Sequence, residues 1–599
     1  LLTEAKQFPG GEGLLRRVWG RREGGRGLAA LGSAQGLLVA FVGLALLYLV
    51  GSPLLMLVLA SVKASQNSLP FDATPFTLAN YTGVFGSLRT YQLLGNTAIF
   101  AGGSLALGGA LGILFAWLIE RTDVPFGSAL AGVLVVPMGI PPILTAISYV
   151  FILDPRIGLL NIATRGIFGL DGLGPFNVYA IPGMFFVQGM VMAPTLYLML
   201  SASFRRMDPA LEEAAHMSGA SSWQTVRRVT LPVLSPALLA AFIFYAVVAL
   251  EAFEIPGAIG LRAGLTVFST EIYNATNPAS LGVPDYGRAS ALSMVIMAIA
   301  IILIALYYRA VRRAERFTTV TGRGFRPRRV RLGLWRGPAL LVVAAYVLLA
   351  VVLVPLILLW VSLQPFYAVP SPAAFARVSL RAYQDIVSTQ DLGHVLLNTL
   401  GVGLLASTIT VAVTFGVAWI SIRSRVRGRR LFDVAAFLPQ AVPGVVIGLA
   451  MLVLHLSFHI PIYGTVLIIA LGVTTKYLAF GSRTLSAAYL QIHHELEEAA
   501  ALSGGNLWTT FQRVSLALLK PAALNTWVWV FLHSIRELPV AVMLYTSGSV
   551  VLSTLVWGLW QQGKTALVGV LGVLMFAISM AVSVAARYYS ARQPSGVPE

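Results

Sequence analysis

This sequence predicts an all-α polytopic membrane protein of about twelve transmembrane helices, arranged as two homologous six-helix halves, and three observations carry that expectation. Hydrophobic residues fill 57% of the 599 positions and charged residues 11%, with a mean hydropathy of +0.79, whereas a soluble domain carries roughly 25% charged residues. Apolar runs long enough to cross about 30 Å of hydrocarbon, about 20 helical residues each, recur along the whole chain. Two polar islands between such runs are near copies: LEEAAHMSGASSWQTVRRVTLP begins at residue 211 and LEEAAALSGGNLWTTFQRVSLA at residue 496.

Taken in order, residues 1–35 form an Arg- and Gly-rich tail ahead of a full-length apolar run, which reads as a retained helix rather than a cleavable signal. The first half is assigned to 36–311, with spans near 36–62, 93–119, 129–153, 176–204, 234–261 and 289–309. A basic linker, 312–337, leads to the second half, 338–588, with spans near 338–363, 392–420, 432–458, 462–486, 521–545 and 566–587, and 589–599 is a C-terminal tail. Gly and Pro interrupt several runs, at Pro137–Pro142, Pro256 and Pro443, as buried membrane helices tolerate. With the N-terminus inside, 31 Lys and Arg fall in cytoplasmic segments and 9 in outer loops, so the positive-inside rule puts both termini in the cytoplasm. The net charge of +18 sits beside spans, in Arg16–Arg26, Arg309–Arg336 and Arg423–Arg430. Anionic lipid headgroups are the expected partner of that charge, and nucleic acid is not. Cysteine is absent, which excludes disulfides, thiol nucleophiles and thiolate metal sites.

The repeat reaches beyond the polar islands. FTLANYTGVFG at 76–86 resembles VSLRAYQDIV at 378–387, Asn96-Thr97 matches Asn398-Thr399, and Pro137 and Pro141 match Pro439 and Pro443, all 302 positions apart. The spacing falls to 285 by Leu211, so the first half carries about 17 extra residues, most simply in its outer loop around 152–178. An even number of spans per half makes the repeats parallel, related by an axis along the membrane normal.

Each island reads as a helical hairpin on the cytoplasmic side. Asp208 caps a helix whose first position is Pro209, Glu212 and Glu213 lie near its positive end, and Gly219 suits a left-handed stop. Ser221 and Gln224 have the spacing of a capping box that starts a second short helix through Trp223 and Arg228, closed by Pro232 and Pro236, with Asn506 replacing Ser221 in the second copy. The small residues leave a face that another protein can approach closely.

Glu213-Ala214-Ala215, three residues, Gly219, nine residues and Val229-Thr230-Leu231-Pro232 resemble the EAA loop in permease subunits of binding-protein-dependent ABC importers. Glu498-Ala499-Ala500, Gly504 and Val514-Ser515-Leu516 repeat the pattern, with Ala517 where the family has Pro. Two copies in one chain resemble the fused permeases of ferric-iron and thiamine importers, with relatives in polyamine, sulfate and phosphonate systems. The resemblance implies the type I importer permease fold in a prokaryotic cytoplasmic (inner) membrane. It also implies loops that dock on two copies of a cytoplasmic ABC ATPase through Glu212, Glu213, Ala214, Ala215, Gly219, Trp223 and Arg228, and through Glu497, Glu498, Ala499, Ala500, Gly504, Trp508 and Arg513. A periplasmic or lipid-anchored substrate-binding protein is the expected outer partner. ATP and Mg then belong to the ATPase, and this chain is a transport subunit that binds no cofactor and is not an enzyme. Ferric iron is the expected cargo, with thiamine, a polyamine or a phosphonate as alternatives. A secondary transporter also has twelve spans in two halves, but it does not need the doubled loop.

Charges inside spans point to function because hydrocarbon penalises them. Glu254-Ile255-Pro256 in the fifth span and Glu537-Leu538-Pro539 in the eleventh are equivalent, with Glu251 and Arg536 beside them. They either line a path or gate suited to a cation, or form an ion pair of Arg536 with Glu537 or with a neighbouring helix. Lys476, His455 and His459 are expected at span ends, snorkelling to the interface. Met184, Met190, Met192 and Met199 read as packing contacts rather than a metal path. Gly558 to Thr565 satisfies the phosphate-loop pattern, but on the outer side and with no strand before it, and is expected to be a chance match.

Overall fold

The computed structural model describes residues 34–63, 69–208, 210–277, 283–314, 330–424, 426–503 and 511–592. Among them, ten helices are long and apolar enough to cross a membrane, and two sharply bent helix pairs bring the number of spans to twelve if each pair is one span. The first half runs α1 (Gln35–Ser61), the short α2 (Ala79–Gly86), α3 (Leu88–Arg121), α4 (Gly127–Gly139), α5 (Pro142–Leu153) and α6 (Leu159–Phe168). It continues through α7 (Ile181–Arg205), α8 (Ala210–Met217), α9 (Trp223–Glu251), α10 (Phe268–Thr276) and α11 (Tyr286–Val311). The second half repeats this as α12 (Gly333–Ser362), α13 (Arg381–Thr389), α14 (Leu392–Ile422), α15 (Arg429–Ala441) and α16 (Gly444–Ser457). Its remaining helices are α17 (Val466–Leu490), α18 (His494–Leu502), α19 (Arg513–Ile535), α20 (Leu552–Gln561) and α21 (Thr565–Val582). Among the described residues α6 has no counterpart in the second half, and it sits where the extra residues of the first half were expected.

The third span of each half, expected at 129–153 and 432–458 with interruptions at its prolines, is sharply broken there. The chain turns by 98° between α4 and α5 and by 112° between α15 and α16. The cause is local: Ile140 and Val442 precede Pro141 and Pro443 and take extended backbone, ψ 127° and 114°, because a following proline ring crowds the helical conformation. The fifth spans also shift. Instead of 234–261 and 521–545, α9 ends at Glu251 and α19 at Ile535, and a buried π-helical turn, Pro256–Gly260, follows in the first half.

Repeated polar residues hold matching loops. Asn96 Nδ2 donates to Thr266 O at 3.1 Å and Asn398 Nδ2 to Val550 O at 3.0 Å. The next residue of each pair accepts from a helix-opening amide, Phe268 N to Thr97 Oγ1 at 3.1 Å and Leu552 N to Thr399 Oγ1 at 2.9 Å. Each short α2 or α13 helix is tied to the first span of its half by one hydroxyl pair, Ser61 with Tyr81 at 2.8 Å and Ser362 with Tyr383 at 2.9 Å.

The first helix of each half reaches the other half while also touching its own, α1 at α11 and α12 along α21. α1 lies against α14 and α16, and α12 against α5. The Tyr48 hydroxyl and His455 Nε2 are hydrogen-bonded at 2.8 Å, and Thr475 Oγ1 donates to Leu49 O at 3.0 Å. Across the opposite seam, Tyr346 OH donates to Met190 O at 3.1 Å and Tyr367 OH to Phe151 O at 2.7 Å. One continuous apolar core accordingly includes Leu49, Ile147, Val354, Leu449 and Trp557 from both halves. Within the first half, α3 and α7 approach so closely that a Cβ at Gly112 would lie 2.7 Å from Leu196 Cβ, the small-residue packing usual between membrane helices.

Candidate functional site

The first polar island folds as a short helix and a left-handed stop. Ala210 N donates to Asp208 Oδ1 at 2.9 Å, capping α8, while Pro209 lies outside the described residues. Gly219 takes φ +82°. Ser221 N donates to Gln224 Oε1 at 2.9 Å and Gln224 N to Ser221 Oγ at 3.3 Å, a reciprocal capping box. The second helix of the hairpin does not end at Pro232 and Pro236 as expected; it runs on into α9 through a π-helical turn, Val226–Thr230. Pro236 has no amide for the carbonyl of Pro232, and Ser235 Oγ takes that acceptor at 2.7 Å, so the helix passes the proline without a free carbonyl.

The two glutamates of the first copy have different fates. Glu212 turns inward, with Oε2 2.7 Å from Arg121 Nη2 and Oε1 accepting from Thr230 Oγ1 at 2.7 Å. The second copy repeats the arrangement: Glu497 Oε2 lies 3.0 Å from Arg423 Nε, and Oε1 accepts from Ser515 Oγ and from Tyr489 OH, each at 2.8 Å. Arg121 is 1% exposed, Arg423 18%. The Arg423 contact is an ion pair without a well-aligned hydrogen bond, and Arg423 also donates to Ile492 O at 2.6 Å. Glu213, Ala214, Trp223 and Arg228 face outward, Ala215 is half-buried, and Ala499, Ala500 and Arg513 follow the same pattern. The Glu498 side chain, Gly504 and Trp508 lie outside the described residues. The apolar Met217 and Leu502 are 88% and 83% exposed at equivalent positions, so each short helix offers a contact face. Sequence reasoning missed Arg121, Arg423, Thr230 and Ser515 as anchors. Both pairs recur at the two repeat spacings, which was the available signal.

Nearby, at the loop between α3 and α4, Asp123 accepts from Leu332 N at 2.9 Å and pairs with Arg336. The Arg336 guanidinium, together with the Leu332 amide, holds the Asp123 carboxyl below the usual carboxylate range.

Inside the bundle one lysine and one glutamate form an ion pair. Lys476 Nζ donates to Glu537 Oε1 at 2.8 Å and Oε2 at 2.9 Å, and Tyr477 OH donates to Oε2 at 2.9 Å. Lys476 is midway along α17 rather than at a span end as expected, and the buried Glu537 supplies the counter-charge that makes this depth tolerable. Arg536 does not pair with Glu537; it donates to the carbonyl of Met138, at the bend of the other half. Glu251, the last residue of α9, and Glu254, just beyond it, are both half-buried. Where α17 carries Lys476, the equivalent position of α7 is Val191, so the first half has no lysine at that position. Pro256 and Pro539 are buried. His455 is buried near the end of α16, bound to Tyr48 rather than reaching an interface. Met184, Met190 and Met192 are buried packing residues, Met199 is 40% exposed, and no His, Cys, Asp and Glu group among the described residues is arranged for a metal. Gly558 to Gln561 are helical, so their amides are not free to cradle phosphate.

Comparison with known proteins agrees with this layout. Residues 108–316 match the family described as binding-protein-dependent transport system inner membrane component. The chain is 22% identical over 523 residues, 86% of its length and 73% of the relative's, to the ferric transport system permease protein FbpB of Actinobacillus pleuropneumoniae. It is 23% identical over 464 residues, 74% of its length and 70% of the relative's, to the putative ferric transport system permease protein FbpB 1 of Haemophilus influenzae. A trehalose/maltose transport system permease protein, MalF of Thermococcus litoralis, is 27% identical over 250 residues, 40% of this chain and 80% of that one. The repeated halves, the doubled loop and these likenesses together make the chain similar to the multi-span inner-membrane permeases of binding-protein-dependent ABC importers, and to the ferric-type permeases in particular.

Proposed function

We propose that this chain carries ferric iron from an external binding protein into the cytoplasm, driven by two copies of a separate ABC ATPase that dock on the α8 and α18 loops. The observation that carries the proposal is the doubled anchor, Arg121–Glu212–Thr230 and Arg423–Glu497–Ser515. Each loop is bolted to the end of the second span and the start of the fifth in its own half, so a push on the loop moves spans rather than bending a surface hairpin. ATP closure of the ATPase pair draws the loops together and rocks the two halves against each other, opening a path between them outward; hydrolysis returns it inward. In this reading both termini and the basic 312–337 linker are cytoplasmic, supported by the excess of Lys and Arg on that side. ATP and Mg are bound by the ATPase, and the chain needs no cofactor of its own.

The cargo assignment draws support from the ferric permeases that align over most of the chain. The charges inside the bundle add to it, since Glu251, Glu254 and Glu537 outnumber Lys476 and Arg536, an excess suited to a cation. Thiamine or a polyamine fits the same charge, and a phosphonate does not. The test is ATPase activity of the full complex in lipid vesicles with binding protein loaded with one ligand at a time. Stimulation by the ferric-loaded form is expected; stimulation by a thiamine- or polyamine-loaded form alone replaces the cargo, and no ATPase association at all overturns the importer mechanism. In the same vesicles Gly219→Val, which forces a branched side chain onto φ +82°, is expected to leave ATP hydrolysis running while uptake falls at least about ten-fold, equivalent to about 1.4 kcal/mol.

A further inference from the structure

A cavity of about 730 Å³ opens between the two halves at the end of the bundle that carries the loops, within the 300–1,000 Å³ range of small-molecule sites. Its apolar wall is built by Ile301 and Ala305 of α11 and by Val434 and Leu438 of α15. Two guanidinium groups stand over that wall. Arg309 lies two residues before the end of α11 and has no partner among the described residues. Arg483 lies about two turns before the end of α17, over the Phe437 ring at 4.5 Å, donating to Tyr308 OH at 3.4 Å. One carboxylate faces it, Asp433, at a loose 3.6 Å.

The repeat shows that the scaffold does not require this charge. At the 285 spacing the first half carries Leu198 in place of Arg483, and at the 302 spacing Ala131 in place of Asp433. An added arginine beside an unpaired one, over a wall of exposed aliphatic side chains in a membrane-spanning region, matches an amphiphile with an anionic head and an apolar tail. Basic pockets between membrane helices bind such headgroups, and guanidinium groups suit phosphate. A free anion leaves the apolar wall without an occupant.

We propose that this cavity is a binding site for one anionic phospholipid, its phosphate on Arg309 and Arg483 and its acyl chain along α11 and α15. The occupant bridges the halves at a joint that must move in transport.

The test uses the full chain purified in mild detergent and mixed with phosphatidylglycerol, phosphatidylcholine or inorganic phosphate, with retained lipid counted by native mass spectrometry. Phosphatidylglycerol is expected to stay bound, phosphatidylcholine to wash off, and inorganic phosphate not to compete. Arg309→Leu and Arg483→Leu, the latter restoring the residue of the first half, are each expected to lower retention about five-fold. Ala305→Phe, at an exposed position, fills the apolar part, keeps both arginines and is expected to lower retention as well. Unfolding midpoints of the three variants verify folding, and if Arg483→Leu fails to fold the other two decide. Undiminished retention in the folded variants, equal retention of the two lipids, or displacement by inorganic phosphate overturns the proposal.

Discussion

At the scale of single residues, the same motif is anchored unequally in its two copies, and that inequality is measurable. Arg121 is almost fully enclosed, and two of its guanidinium nitrogens have no other partner, so Glu212→Ala strands a buried charge. A loss of about 3–5 kcal/mol is expected, the usual result of removing one partner of a buried pair. Glu497→Ala costs less, since Arg423 is partly exposed and keeps its bond to Ile492 O. Thermal unfolding of both variants in one detergent checks the order, and an equal or reversed cost removes the argument. Lys476 supports a second prediction. Lys476→Met leaves Glu537 with a tyrosine hydroxyl and one backbone amide but no counter-charge, so unfolding is eased by about 3–5 kcal/mol. Adding Glu537→Gln to that variant is expected to recover most of the loss, because the stranded charge has gone; no recovery means the pair is not the source. The sequence showed Glu537 and Lys476 as separate oddities 61 positions apart. No spacing rule links side chains on different spans, and only packing of α17 against the end of α19 joins them.

At the scale of elements, the Asn-Thr dipeptides convert a sequence repeat into a structural one. Thr97→Val and Thr399→Val each remove the acceptor of a buried helix-opening amide, a loss of about 1–3 kcal/mol. Similar costs are expected from the two halves, read as shifts of the unfolding midpoint; an effect in one half alone means the loops are held differently. The clip between Asp123 and the start of α12 depends on pH. Its folded carboxyl is held below the ordinary range by Arg336, so its contribution is full above about pH 4, the unfolded value, and is lost as pH falls through the lower folded value. In Asp123→Asn that part of the acid limb of stability against pH is expected to vanish; an unchanged acid limb counts against the clip. Much at this scale was legible. Asp208, Gly219, Ser221 and Gln224 acted locally, through neighbours three or four residues away, and the structure has the caps and the left-handed turn they announce. Pro141 and Pro443 were visible as interruptions, but not the size of the bend, which depends on what α5 and α16 pack against. Pro232 and Pro236 misled for the opposite reason, because Ser235 and a π-helical turn satisfy the backbone the prolines leave open.

At the scale of the molecule, the exchange of α1 onto the second half sets how the halves move. α1 belongs to the first half by sequence and lies mainly on α14 and α16 of the second, while α12 packs along α21 of its own half and touches α5 of the first, so the core is shared across the seam. Periodicity within any one span has no record of this, since every span is apolar on most sides. If the halves rock about their seam, α1 travels with the half it packs on. The absence of cysteine makes this testable by paired cysteine substitution and spin labels on an unlabelled background. A pair at Leu44 and Leu404, exposed on α1 and α14, is expected to keep a constant distance through the ATP cycle of the full complex. A pair at Arg205 and Leu490, equivalent ends of α7 and α17 beside the two loops, is expected to shorten when ATP binds and to lengthen after hydrolysis. A change at Leu44–Leu404 with none at Arg205–Leu490 places the moving joint between α1 and the second half, and the rigid unit is then the six helices of each sequence repeat rather than the exchanged set.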